Sequence, residues 1–128
     1  MADFYHTTAC IQESCFRIVI DWTYEDIPVR EMFDDTICDV ADMERRCNDG
    51  TDTHFITRVR VFYGTLELAA EYLGSCYASD CDPHDEILEN SLGGYVEDML
   101  DAARTQARSE FAALEKSIAR DMAELDRV

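Results

Sequence analysis

The chain has six cysteines, and these are the residues whose type and spacing are best suited to chemistry. Two pairs repeat one interval, Cys10 with Cys15 and Cys76 with Cys81, and His84 follows the second pair. Two such pairs on adjacent strands would supply a tetrahedral zinc site. The interval is at the wide end of zinc spacing, and a free thiol otherwise packs as a small apolar side chain. We expect buried thiols without metal, with a small zinc-binding adaptor as an alternative.

The start of the chain favours a compartment in which the thiols stay reduced. The first five residues, MADFY, lack the basic and apolar regions of a secretory signal. The sequence also has no apolar run of about 18 residues, which a membrane-spanning helix requires. These features predict a cytoplasmic protein that has no contact with a membrane.

Recognisable catalytic motifs are missing. The sequence contains neither a glycine-rich phosphate loop nor the signatures of zinc proteases and serine hydrolases. Asp80, Asp82 and Asp85 are spaced like oxygen ligands, but the glycine and the glutamate of an EF-hand loop do not follow. We therefore expect a protein that is not an enzyme and that carries neither a catalytic residue nor a cofactor.

The charge is the most unusual property of the chain. It has 28 acidic residues against 11 basic ones, a net charge of −17, while its apolar share of 47% is typical of a folded protein. Such a chain repels phosphate backbones, so direct binding to nucleic acid is excluded. The length of 128 residues predicts one domain over 1–128.

The first acidic block covers residues 21–52, with eleven acids and three arginines. Apolar residues at Val29, Phe33, Ile37 and Val40 have helical spacing and predict a helix over 28–43. The acids of this segment fall on the side opposite the apolar stripe, where they would form a ladder of negative charge facing a partner. They are Glu31, Asp34, Asp35, Asp39 and Asp42.

The second acidic block covers residues 80–101 and contains eight acids without one Lys or Arg. Acids near a helix N-terminus are stabilised by the helix dipole, which accounts for some of them. It does not account for the lack of compensating charge, so we predict a second partner-binding set. Its members are Asp80, Asp82, Asp85, Glu86, Glu89, Glu97, Asp98 and Asp101.

Periodicity predicts the elements that must position these groups. Alternating apolar residues indicate strands over 14–22, 54–63 and 66–77, the last two forming a hairpin around Gly64. Pro83 opens a short helix that reaches Asn90. The expected fold is α+β, a small antiparallel sheet of about three strands that is covered by helices on one face.

A long amphipathic helix is predicted from Tyr95 to about Leu125. Its apolar residues recur at intervals of three and four, which matches the period of a straight α-helix. Such a helix is about 45 Å long, more than a domain of this size requires. Its end is expected to project, or to pack against a partner or a second copy in a homodimer.

Residues 57–108 resemble small acidic accessory proteins of bacteriophages and mobile elements. The resemblance rests on Leu66-Glu67-Leu68, on Tyr72-Leu73-Gly74-Ser75-Cys76-Tyr77, and on the run GYVEDMLDAA from Gly94 to Ala103. The commoner pattern of these proteins has glycine where this chain has Ser75. The resemblance implies an inhibitor of the anti-CRISPR or antirestriction type, several of which imitate DNA, acting in the cytoplasm of a host cell.

Charge and resemblance together lead to one functional expectation. The acidic surfaces would occupy the basic DNA-binding channel of a CRISPR effector or another defence enzyme. A second hypothesis needs no partner: 16 Asp, ten Arg and one Lys suit a protein that stays hydrated in concentrated salt.

Overall fold

The structure, a computed structural model, describes residues 5–128 of the chain. Four antiparallel strands form one sheet in the order β1-β2-β3-β4. They are β1 (His6–Glu13), β2 (Phe16–Tyr24), β3 (Asp52–Tyr63) and β4 (Leu66–Ser79). The α+β fold is confirmed, but the sheet has one strand more than the predicted three. The additional strand β1 pairs with β2 at the edge of the sheet.

Two helices cover one face of the sheet. They are α3 (Pro83–Leu88) and α4 (Tyr95–Leu125), and α4 has the bounds that its periodicity predicts. Phe55, Val59 and Val61 of β3 form a buried cluster with residues of both helices. Because side chains alternate along a strand, these residues point to the same face. We call it the helix-covered face, and the core lies there.

The segment predicted as one helix over 28–43 is instead two short helices, α1 (Val29–Met32) and α2 (Val40–Asn48). The chain leaves helical geometry at Phe33, where φ is −120° and ψ is 142°. Asp34 then accepts hydrogen bonds from the backbone N–H and the hydroxyl of Thr36, at 2.9 and 2.7 Å. This local turn satisfies the backbone in place of a helical turn.

These two short helices also correct the prediction that helices cover only one face. The ring of Phe33 lies 5.7 Å from that of His54 and 5.9 Å from that of Tyr77. His54 alternates with Phe55 and therefore points away from the helix-covered face. The segment from α1 to α2 consequently packs on the opposite face, at the end of the sheet where β3 begins.

Among the described residues 5–128, none of the helices is both long and apolar enough to cross a membrane.

Candidate functional site

The second acidic block is assembled around the junction between α3 and α4. Asp82 caps α3, and its carboxylate accepts a hydrogen bond from the backbone N–H of Asp85 at 3.1 Å. A short turn over Ser91–Gly94 then contacts both helices. Glu97 and Asp98 stand in the first turn of α4. The fold thus places acids of α3 and of the start of α4 on both sides of this turn.

We call this region the acidic turn surface. Five of its members are exposed and two, Asp85 and Glu86, are partly exposed. Asp101 forms a salt bridge with Arg104 at 3.9 Å. No other member of the surface forms one in the part of the chain that the structure describes. Its carboxylates are available to a basic partner. The surface consists of Asp82, Asp85, Glu86, Glu89, Glu97, Asp98 and Asp101.

Asp80, the remaining acid of this block, has a different position. Its carboxylate lies 2.9 Å from the guanidinium of Arg46, which also binds the buried Asp52. The hydrogen bonds from Arg46 and Tyr77 hold the pKa of Asp52 at about 2, against the effect of burial. Burial, and next the hydrogen bond to Asp52, raise the pKa of Tyr77. Asp80 therefore belongs to a structural network between α2, β3 and β4.

The ladder of acids predicted for the first block is wrong, because the helix that would carry it is interrupted. Asp34 and Asp39 accept hydrogen bonds from nearby backbone groups, Asp39 from Asp42 at 3.1 Å as the cap of α2. Asp35 accepts a longer one, 3.4 Å, from the backbone N–H of Val40. These carboxylates organise the turn between α1 and α2.

The remaining residues of the first block also differ from the prediction. Asp42 forms a salt bridge with Arg45. Glu31 lies exposed in α1. Ile37, expected in the core stripe, is 82% exposed because it lies in the turn between the helices. Carboxylates of this block still face solvent, but they do not form a straight line of charge.

The two cysteine pairs lie at opposite edges of the sheet. Cys10 belongs to edge strand β1 and Cys76 to edge strand β4, with β2 and β3 between them. Cys76 is buried, and burial raises the pKa of its thiol. Cys10 and Cys15 are exposed, so the expectation of buried thiols is wrong for these two. Within residues 5–128, no group of three or more His, Cys, Asp or Glu side chains could hold a metal ion. The alternative of a zinc site on these four cysteines is thus wrong.

A buried charge cluster on the opposite face of the sheet was not predicted. Asp21 is 2% exposed and accepts hydrogen bonds from Arg58 at 2.8 and 2.7 Å and from Arg60 at 3.1 Å. Asp21 and Arg58 are opposite each other in the register of β2 and β3. Alternation along β3 places Arg58 and Arg60 on the same face, and the register of β2 against β3 brings Asp21 to that face. Because Asp21 is satisfied by two arginines, the cluster stabilises the sheet.

A groove of about 480 Å³ between α4 and the sheet is the other feature that the sequence did not predict. Apolar side chains from both walls line it, and charged residues stand at its rim. Its apolar walls include Ile11, Phe16, Ile18, Val61, Ala107 and Phe111.

Comparisons of this chain with protein-family models, with curated proteins and with solved structures found no match.

Proposed function

We propose that this protein inhibits a nucleic-acid-binding defence enzyme, a CRISPR effector first among them, by occupying its basic DNA channel. The acidic turn surface is the region that enters the channel. The proposal is supported by seven acids on two adjoining helices, which stand in a sequence of 22 residues without one Lys or Arg. The resemblance of residues 57–108 to phage accessory proteins indicates the kind of target.

The physical basis is competition for a site that is built to hold polyanions. A channel lined with Lys and Arg attracts negative charge over several ångströms, and a net charge of −17 accelerates the encounter. Once bound, a folded acidic surface excludes DNA without the chain-ordering cost that a flexible acidic tail would carry. Binding is expected to weaken steeply as salt is added, because screening acts on both partners.

The test begins with capture of the partner by the tagged protein from a bacterium with active CRISPR defence. The purified effector is then assayed for DNA binding with increasing amounts of this protein. The test variant neutralises three acids of the acidic turn surface: Glu89→Gln, Glu97→Gln and Asp98→Asn. The control neutralises three acids in the distal half of α4: Glu110→Gln, Asp121→Asn and Glu124→Gln.

Both variants change the net charge by the same amount, so a difference between them reports position. We expect the test variant to lose inhibition by more than about tenfold at low salt, and the control variant to retain it. Equal loss in both variants would show that total charge acts without a defined surface. Full inhibition by the test variant would refute the proposal.

A further inference from the structure

The distal half of α4 extends beyond the core that its first half covers. Val96, Met99, Ala103 and Ala107 are buried, at 7% exposure or less. Further along, Ile118, Met122 and Leu125 are 53, 54 and 63% exposed. The helix of 31 residues is about 46 Å long, and its exposure rises toward its C-terminal end.

The exposed apolar residues continue the buried face of α4. Ile118 follows Ala107 by 11 residues, and Leu125 follows it by 18, which are about three and five helical turns. These side chains therefore lie on the same side as the residues that pack on the sheet. An apolar stripe of three large residues on one side of a helix is typical of an interface, whereas exposed apolar residues scattered singly are not.

The groove beside α4 provides a complementary surface. Ile11 and Phe16 come from the hairpin of β1 and β2, while Ala107 and Phe111 come from α4 itself. Phe111 also packs against Phe16, with ring centroids 5.4 Å apart. The groove is an apolar depression of about 480 Å³ that begins next to the exposed stripe. One molecule thus carries both an apolar stripe and an apolar groove.

Charges along one flank of α4 indicate how the two surfaces would meet. Arg104 and Arg108 stand at the rim of the groove, and Glu115 and Asp126 follow Arg108 by seven and 18 residues. These intervals are about two and five turns, so all four residues share a flank. Arg108, Glu115 and Asp126 are exposed, and no salt bridge joins any of them to another residue within 5–128. On this flank Arg108 and Glu115 are thus a base and an acid two turns apart, neither of them paired within 5–128.

We propose that a second copy of this chain occupies the groove, with its α4 antiparallel to the first. In this arrangement Ile118 and Met122 of each copy lie over the groove of the other. Arg108 of each copy then lies level with Glu115 of the other, on both sides of the two-fold axis. A parallel arrangement would bring like charges together. The proposal is independent of the proposed function, since it does not use the acidic turn surface.

The first test measures molar mass by sedimentation across a range of concentrations. We expect the natural chain to form a dimer and the double variant Ile118→Glu with Met122→Glu to raise the dimer dissociation constant by more than about tenfold. The matched control is Ser109→Glu with Ala113→Glu, which adds the same charge at exposed residues on the other side of α4. Circular dichroism checks that each variant is folded. A natural chain that is monomeric at every concentration, or a double variant that dimerises normally, overturns the proposal.

The second test distinguishes the antiparallel arrangement from any other dimer. Arg108→Glu places two acids at each contact, and Glu115→Arg places two bases there, so each variant alone should dimerise weakly. Mixed in equal amounts, the two variants have opposite charges at both contacts. We expect the mixture to regain a dimer that contains one copy of each variant. A mixture that stays monomeric overturns the antiparallel arrangement.

Discussion

Arg46 and Asp52 form a two-point ion pair, in which the guanidinium of Arg46 donates to both carboxylate oxygens of Asp52 at 2.8 and 3.0 Å. Asp52 is 4% exposed, and it also accepts hydrogen bonds from the Tyr77 hydroxyl at 2.6 Å and the Asp80 backbone N–H at 3.0 Å. One carboxylate thereby joins α2, β3 and β4. The pair fixes the position of α2 against the sheet.

Replacing this carboxylate should destabilise the fold. We expect Asp52→Asn to lower the free energy of unfolding by about 2–3 kcal/mol, since the amide cannot satisfy the donors that converge on the buried carboxylate. Urea denaturation measures the loss. The control is Glu44→Gln, which removes the exposed pair with Arg30 and should cost far less. Equal losses in both variants would contradict the structural role of Asp52.

The same carboxylate should contribute to acid sensitivity. Its pKa is lowered from 3.8 to about 2, so its contribution to stability is present above pH 3.8 and is lost as the pH falls toward 2. We expect Asp52→Asn to flatten the dependence of the free energy of unfolding on pH over this window. Urea denaturation at a series of pH values measures it. An unchanged slope in the variant would contradict the assignment.

His54 should make stability depend on pH at milder acidity. Burial lowers the pKa of His54 below 6.5, and its Nε2 atom is buried without a hydrogen-bond partner within 5–128. The folded state therefore favours neutral imidazole, and stability falls as the pH drops below 6.5. We expect His54→Phe, which keeps a ring beside Phe33, to remove this fall. Thermal melts at pH values between 6.5 and the onset of carboxylate titration measure it.

Ser75 should be replaceable by glycine with a gain in stability. Its φ of 54° lies in the left-handed region, and its hydroxyl oxygen is buried without a partner in the described residues. We expect Ser75→Gly to raise the free energy of unfolding by about 0.5–1 kcal/mol. Ser79→Gly, at a position outside the left-handed region, should instead lower it. A loss of stability in Ser75→Gly would contradict the prediction.

Salt should distinguish the proposed inhibitor from a salt-adapted protein. The buried ion pairs of Asp21 and Asp52 lie largely outside the reach of screening ions, and they hold the sheet at any ionic strength. We expect the protein to remain folded when salt is withdrawn, with only a modest decrease in melting temperature from repulsion among its acids. Thermal melts at low and molar salt measure this. Unfolding at low salt would favour the salt-adapted alternative.

The regular elements could be predicted because their apolar residues follow one period over many positions. The helix α4 has nine apolar residues at intervals of three and four, and both of its predicted ends are confirmed. The hairpin of β3 and β4 is also confirmed, and it could be predicted because its apolar residues alternate over many positions. Strand β1 was missed because HTTACIQE is short and largely polar, and it is held by its pairing with β2 rather than by its own pattern.

The first acidic block shows where periodicity fails. Val29, Phe33, Ile37 and Val40 have helical spacing, yet Asp34 and Asp39 offer the backbone local hydrogen bonds that compete with a helix. The spacing of apolar residues alone does not report these competing hydrogen bonds. The start of α3 at Pro83 is confirmed, because proline is favoured in the first turn of a helix. The charge partners Asp21 and Asp52 depend on strand register and on packing, which the sequence alone did not provide.

The strand order has a consequence for how the chain is made. Every strand pairs with its neighbour in sequence, so the sheet requires no crossover and can grow hairpin by hairpin as synthesis proceeds. The helix α4, which packs on β3 and β4, follows all four strands in the chain. Until α4 emerges, the growing chain presents an apolar sheet surface, and this interval is when it is most prone to aggregate.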